Sequence, residues 1–234
     1  MPPFAPSDWP RNEFRAEAEV LWQWHYAAQA GEDSSVHRSK AHAICDEFNL
    51  PAHLVDAQFI EEGVPTIHTI TDLFDYMDRS TGSHALLLAK LAGYTANWVE
   101  DPIRKFGRAL FLTRSLMFLK EDLQAGRQFI PLDLLQKHNV DSTDLMEGRL
   151  SSGLRSVLWK QVVYARDAYA SCRTLNSDLS GWCRRRFRIY WTGGLHTLAR
   201  IESRKFDVWS KPVELTLLDK TRVYLQVYTG KTIR

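Results

Sequence analysis

An all-α, single-domain protein is what this sequence predicts, on three observations. Apolar residues recur at steps of three and four over most of the chain, the period of a half-buried helix. Proline, serine, threonine and aspartate open many of these stretches and glycine closes several, as helix ends require. The β-branched runs are short, with no Asn-Gly or Asp-Gly turn between them, so no hairpin competes.

Taken in order, Pro10 opens a helix over 12–29 that Gly31 ends, with Val20, Leu21, Trp24 and Ala27 on one stripe. Ser34 and Ser35 cap a second helix reaching Phe48, and Leu50-Pro51 resets the chain for a third that stops at Gly63. Residues 64–71 form a loop. Thr69 and Asp72 have capping-box spacing and start a helix that continues to Gly93, weakened by about 1 kcal/mol at Gly82. Asp101-Pro102 opens the next, ending near Phe118. Periodicity lapses over 120–131, and short helices follow around 132–138 and 142–146. Long helices over 154–175 and 180–204 and a last one over 214–228 complete the chain. The domain is expected over 11–229, between an N-terminal extension (1–10) and a C-terminal tail (230–234).

With 234 residues, 44% hydrophobic and 25% charged, the chain can bury a core, and disorder is excluded as its main state. The 30 basic and 28 acidic side chains leave a charge of +2, so an anionic partner would have to be held by a local patch. Cys45, Cys172 and Cys183 are too few and scattered for a disulfide framework or a metal knuckle, which fits a reducing compartment. No apolar run approaches the roughly 20 residues that span a bilayer. No targeting signal is legible at the start.

Residues 106–131, FGRALFLTRSLMFLKEDLQAGRQFIP, resemble the squalene/phytoene synthase family. Ala109-Leu110-Phe111-Leu112-Thr113 matches its alanine-leucine-x-leucine-threonine helix. Glu121-Asp122 matches the end of an acidic stretch, and Gly126-Arg127-Gln128-Phe129-Ile130-Pro131 the glycine-arginine-x-aromatic-leucine-proline that follows. Residues 73–93, 165–175 and 201–220 resemble flanking helices. The resemblance implies an isoprenoid synthase-type helical bundle, here lacking its first helices, and enzymes that couple prenyl diphosphates with magnesium held by two aspartate-rich motifs.

The residues depart from what that chemistry needs. Magnesium takes oxygen ligands, and carboxylates at i and i+4 set two on one helical face. No two aspartates here stand four apart. Phe118 and Met117 occupy the positions of the second motif's first aspartate and of the arginine before it. Glu121, Asp122 and Arg127 read as vestiges, with no catalytic residue, no metal and no cofactor expected. Glu13 and Glu17, and the run Asp72, Asp75 and Asp78, read as capping acids and solvated helix faces rather than metal ligands. No HExxH, GxSxG or phosphate-cradling glycine motif is present.

This pattern of loss resembles the mitochondrial complex I assembly factors built on the same fold. The resemblance implies a non-catalytic assembly factor or accessory subunit of a large mitochondrial complex, in complex I or mitoribosome biogenesis. It would lie in the matrix or peripherally at the inner membrane, with subunits of that assembly as partners. The alternative is an active or lipid-binding prenyl diphosphate transferase using Asp122, Glu121 and Arg127. Residues 181–194, GWCRRRFRIYWTGG, carry the most unusual composition. As a helix they bury Cys183, Phe187, Tyr190, Trp191 and Gly194, leaving Arg184, Arg185 and Arg188 on a basic face. These arginines, with Trp182 and Trp191, are the candidate partner-binding residues, toward protein or toward RNA or anionic lipid phosphates.

Overall fold

A computed structural model describes residues 14–32, 35–59 and 64–229. Every regular element among them is helical. The order is α1 (Arg15–Ala30), α2 (Ser35–Glu47), α3 (His53–Asp56), α4 (Ile70–Met77), a π-helical turn (Asp78–Gly82), α5 (Ser83–Leu91), α6 (Asn97–Met117) and α7 (Leu119–Gln124). Then come α8 (Leu132–Lys137), α9 (Ser142–Glu147), α10 (Ser152–Ser171), α11 (Leu175–Asp178), α12 (Gly181–Ser203) and α13 (Leu217–Thr229).

Most expected elements are present, and the departures have local causes. The third helix was expected to reach Gly63 but is one turn, His53–Asp56; after it the Gln58 backbone N–H bonds to Val55 O and its side-chain amide takes Leu54 O, the carbonyl a continuing helix would bond to residue 58; residues 60–63 lie outside the described ones. α6 begins a turn before Asp101-Pro102, with Val99 buried and Glu100 paired to Lys90 at 2.7 Å, so Pro102 sits inside the helix. The stretch read as irregular over 120–131 starts with α7, which buries Leu119, Asp122 and Leu123. The helix expected over 154–175 stops at Ser171.

By its contacts the chain falls into two compact units, each assembled from separated stretches of chain. Of the described residues, one holds 14–32, 35–59, 64–65, 75–108 and 170–187, the other 66–74, 109–169 and 188–229. In the first, α1 packs on α2 and α5, and α3 on α5. The buried Trp24 donates its Nε1–H to Val55 O at 3.0 Å. The weak point at Gly82 is here a π-helical turn. It lets α6 approach so closely that a Cβ on Gly107 would lie 2.9 Å from Gly82 Cα. Arg104 donates to Asp78 O at 3.0 Å, and Arg108 forks onto the Asp78 carboxylate at 2.6 and 2.5 Å, so charge-assisted bonds hold the disrupted turn.

In the second unit the family-like stretch folds on itself. Phe111 meets Phe129 edge-to-face at 4.9 Å between centroids, and Pro131 precedes the first residue of α8. The Leu132 and Asp133 amides donate to Ile67 O and His68 O, both at 3.0 Å. A buried hydroxyl pair, Thr113 and Tyr169, joins α6 to α10 at 3.1 Å, and α12 reaches the same tyrosine through Trp191 Nε1–H to Tyr169 O at 3.0 Å.

Candidate functional site

The strongest sequence motif runs from the end of α6 through α7 into the turn before α8. Phe118 breaks the helical path between α6 and α7, at φ −111° and ψ 26°, and the Asp122 amide bonds back to Phe118 O at 2.8 Å. Asp122 therefore projects one turn beyond Phe118, in the relation that a pair of carboxylate ligands would have. It is 1% exposed. Its Oδ1 accepts from Arg127 Nε at 3.1 Å and Nη2 at 2.7 Å, and its Oδ2 accepts from Arg114 Nη1 at 3.1 Å. Both oxygens face guanidinium groups. Arg114 also lies over the Phe118 ring, 5.6 Å from its centroid, and Glu121 is exposed.

This donor set does not fit magnesium. A hard dication needs several oxygen ligands, whereas Asp122 is enclosed by two cations and its i−4 neighbour is a phenyl ring. Among the described residues no three His, Cys, Asp or Glu side chains are grouped to hold a metal.

Of the other acidic candidates, Asp72 and Asp78 have structural duties. Asp72 accepts from the Thr69 amide at 2.8 Å and the His68 amide at 3.0 Å, while its own amide donates to Thr69 Oγ1 at 3.3 Å. These bonds, the Thr69 amide first, hold its carboxyl below the usual carboxylate range. Asp78 holds Arg108, and Asp75 is exposed. Glu17 is half-buried on α1, and Glu13 lies outside the described residues. All three cysteines are buried; desolvation pushes the Cys45 thiol up to about 11 and Cys172 higher still, which makes them poor nucleophiles at neutral pH.

In α12, Cys183, Phe187 and Tyr190 are buried as their spacing predicts, with Trp191 half-buried. Arg184 and Arg185 are exposed and Arg188 and Trp182 half-buried. Arg184 and Trp191 are tied to backbone carbonyls within the chain. Arg184 donates to Leu179 O at 2.6 Å and Ser177 O at 3.3 Å, closing the turn after α11, and Trp191 is bonded to Tyr169 O. Arg186 lies over the Trp182 ring at 4.4 Å, a pairing absent from the sequence reading although i, i+4 spacing makes it readable.

The squalene/phytoene synthase pattern matches residues 25–226. The chain belongs to the squalene/phytoene synthase family. A phytoene synthase from Thermus thermophilus is 31% identical over 106 residues, 45% of this chain; the matched stretch spans 36% of that relative's length. Among solved structures, a dehydrosqualene synthase in complex with a ligand superposes with a TM-score of 0.79 at 16% identity, over 97% of this chain and 90% of the other. YisP from Bacillus subtilis superposes at 0.75 with 20% identity, over 94% and 87% of the two chains. The squalene synthase HpnC from Alicyclobacillus acidocaldarius does so at 0.66 with 22%, over 86% and 80%. At these identities the superpositions establish the squalene/phytoene synthase fold.

Within that family, sequence reasoning missed Arg114. It lies eight residues before Asp122, across a break in the helix, and only the turn at Phe118 brings the two together.

Proposed function

We propose that this chain is a non-catalytic member of the squalene/phytoene synthase family. It acts by binding other macromolecules, as an assembly factor or accessory subunit of a large mitochondrial complex, respiratory complex I or the mitochondrial ribosome. The observation that carries the loss of catalysis is Asp122 clamped between Arg114 and Arg127, with Phe118 one turn before it. Ionising a diphosphate needs magnesium at that place, and a buried carboxylate held by three charge-assisted bonds from two guanidiniums would have to bring a dication up against two cations, with a phenyl ring where the second carboxylate would stand. The mitochondrial assembly role rests on the resemblance of this pattern of loss to the complex I factors of the fold, and the exposed part of α12, around Arg185, gives such a protein a contact surface.

A prenyl diphosphate transferase is the competing reading, favoured by the 31% identity to a phytoene synthase. Incubation with farnesyl or geranylgeranyl diphosphate and magnesium separates the two. The non-catalytic reading expects no product above a boiled control, and product that disappears in Asp122→Ala would replace it with the transferase. Mass spectrometry of a tagged complex from mitochondria then tests the assembly role, which expects subunits or biogenesis factors of one large complex in stoichiometric yield.

A further inference from the structure

We propose that α13 is a membrane-surface helix that binds anionic lipid. Its fold-facing side is settled by contacts: Val223 and Val227 are buried, Gln226 meets His196 at 3.2 Å, and Asp219 meets Arg200 at 3.3 Å. Thr216 and Asp219 form a reciprocal cap at the start, with the Thr216 amide donating to Asp219 Oδ2 at 3.0 Å and the Asp219 amide to Thr216 Oγ1 at 3.2 Å. The helix is therefore fixed in rotation and in its first turn.

Its outward side is apolar. Leu217 is 82% exposed, Leu218 72% and Leu225 58%, and Tyr224 and Tyr228 are exposed beside them. At about 100° per residue these five side chains sweep an arc of about 120°, roughly opposite Val223 and Val227. Thr221 is the one polar residue inside the arc. The exposed Lys220 and Arg222 stand about 40° beyond either edge of it. Asp219, the helix's one acid, is turned away to Arg200 and Thr216.

Charge complementarity selects the occupant. A second copy of this helix laid on the first would bring lysine and arginine flanks against lysine and arginine flanks. A bilayer surface bearing anionic headgroups meets both flanks with phosphate while the leucines enter the acyl boundary and Tyr224 holds its hydroxyl at headgroup level. The helix has 13 residues, too few to cross a membrane, so the contact it makes lies in the plane of the bilayer surface and is reversible. The proposal stands whether or not the chain turns over a substrate.

Co-sedimentation of the full chain tests it, with vesicles of phosphatidylcholine alone or with about one quarter phosphatidylglycerol. The protein should pellet with the anionic vesicles, less so as salt rises, and the double change Leu218→Glu, Leu225→Glu should lower the bound fraction about tenfold. Lys220→Glu with Arg222→Glu should abolish the preference for anionic lipid, a second readout if the leucine variant folds poorly by circular dichroism. Protein that stays in the supernatant with both vesicles, or a folded leucine variant that binds as well as the parent, overturns the proposal. So does a concentration-dependent dimer, lost with the leucines, in a protein that ignores vesicles.

Discussion

The hydroxyl of Tyr169 stands where a β-carbon at residue 194 would be: a Cβ on Gly194 would lie 1.8 Å from that oxygen and 2.4 Å from Cζ. The hydroxyl also meets Thr113 Oγ1 at 3.1 Å, so it cannot withdraw without giving up a buried hydrogen bond. Replacing glycine by alanine inside a helix ordinarily gains about 1 kcal/mol. Here the sign reverses. Gly194→Ala should lose about 1–3 kcal/mol by urea unfolding, as overpacked cores do. Adding Tyr169→Phe should restore only part of it, since Cζ still intrudes. A more stable Gly194→Ala would show that α12 and α10 pack otherwise.

Asp122 should behave as a structural acid. Asp122→Asn keeps its size but gives up charge-assisted bonds to Arg114 and Arg127, and should cost about 1–3 kcal/mol. Arg127→Ala should cost a similar amount and Arg114→Ala less, because Arg127 reaches the carboxylate through two nitrogens and Arg114 through one. Magnesium should leave the parent's melting temperature where it is in chelator. A magnesium-dependent rise that vanishes in Asp122→Ala would instead make this carboxylate a ligand.

The α12 arginines should differ in what their loss costs. Arg184→Ala removes donors from Leu179 O and Ser177 O and should cost about 1 kcal/mol. Arg185→Glu, at an exposed position, should diminish recovery of the partner complex by more than any loss of stability accounts for, measured by recovery at a temperature where the variant is fully folded. If both variants lower stability alike and partner recovery is untouched, α12 serves the fold alone.

What could be read in the sequence was whatever depends on neighbours along the chain. The Thr69–Asp72 cap, the stripe Cys183, Phe187 and Tyr190, and the weak point at Gly82 all follow from spacing, and each is present. The π-helical form of that weak point was not legible, because it depends on Gly107 and Arg108 arriving from α6. The same holds at the candidate site. Phe118 and Asp122 could be named from their spacing, whereas Arg114 joins Asp122 only through the bend between α6 and α7. The apolar outer face of α13 escaped notice because its pattern alone resembles a core stripe; which side is buried is decided by Val223, Val227 and Gln226.

Stability should depend on pH through a stacked imidazole pair. His84 is fully buried on α5, its ring parallel to that of His25 with centroids 4.4 Å apart and the Trp22 ring 5.7 Å away. Gln58 donates its amide to Leu54 O, which turns Oε1 toward His25, so His25 Nδ1–H donates to it at 2.8 Å. Neither nitrogen of His84 has a hydrogen-bond partner. Desolvation first, and then the neighbouring His25, holds the His84 pKa well below its usual 6.5. The unfolded chain therefore takes up a proton below that value while the folded one does not. Stability should be full above about pH 6.5 and fall as the pH drops, by at most about 1.4 kcal/mol per unit for this one group. His84→Met, similar in volume and without a titrating group, should flatten that part of the slope between about pH 7.5 and 5.5. Urea midpoints at the two pH values measure it, and parent and variant losing stability in parallel would mean that His84 is protonated, or hydrated, in the folded protein.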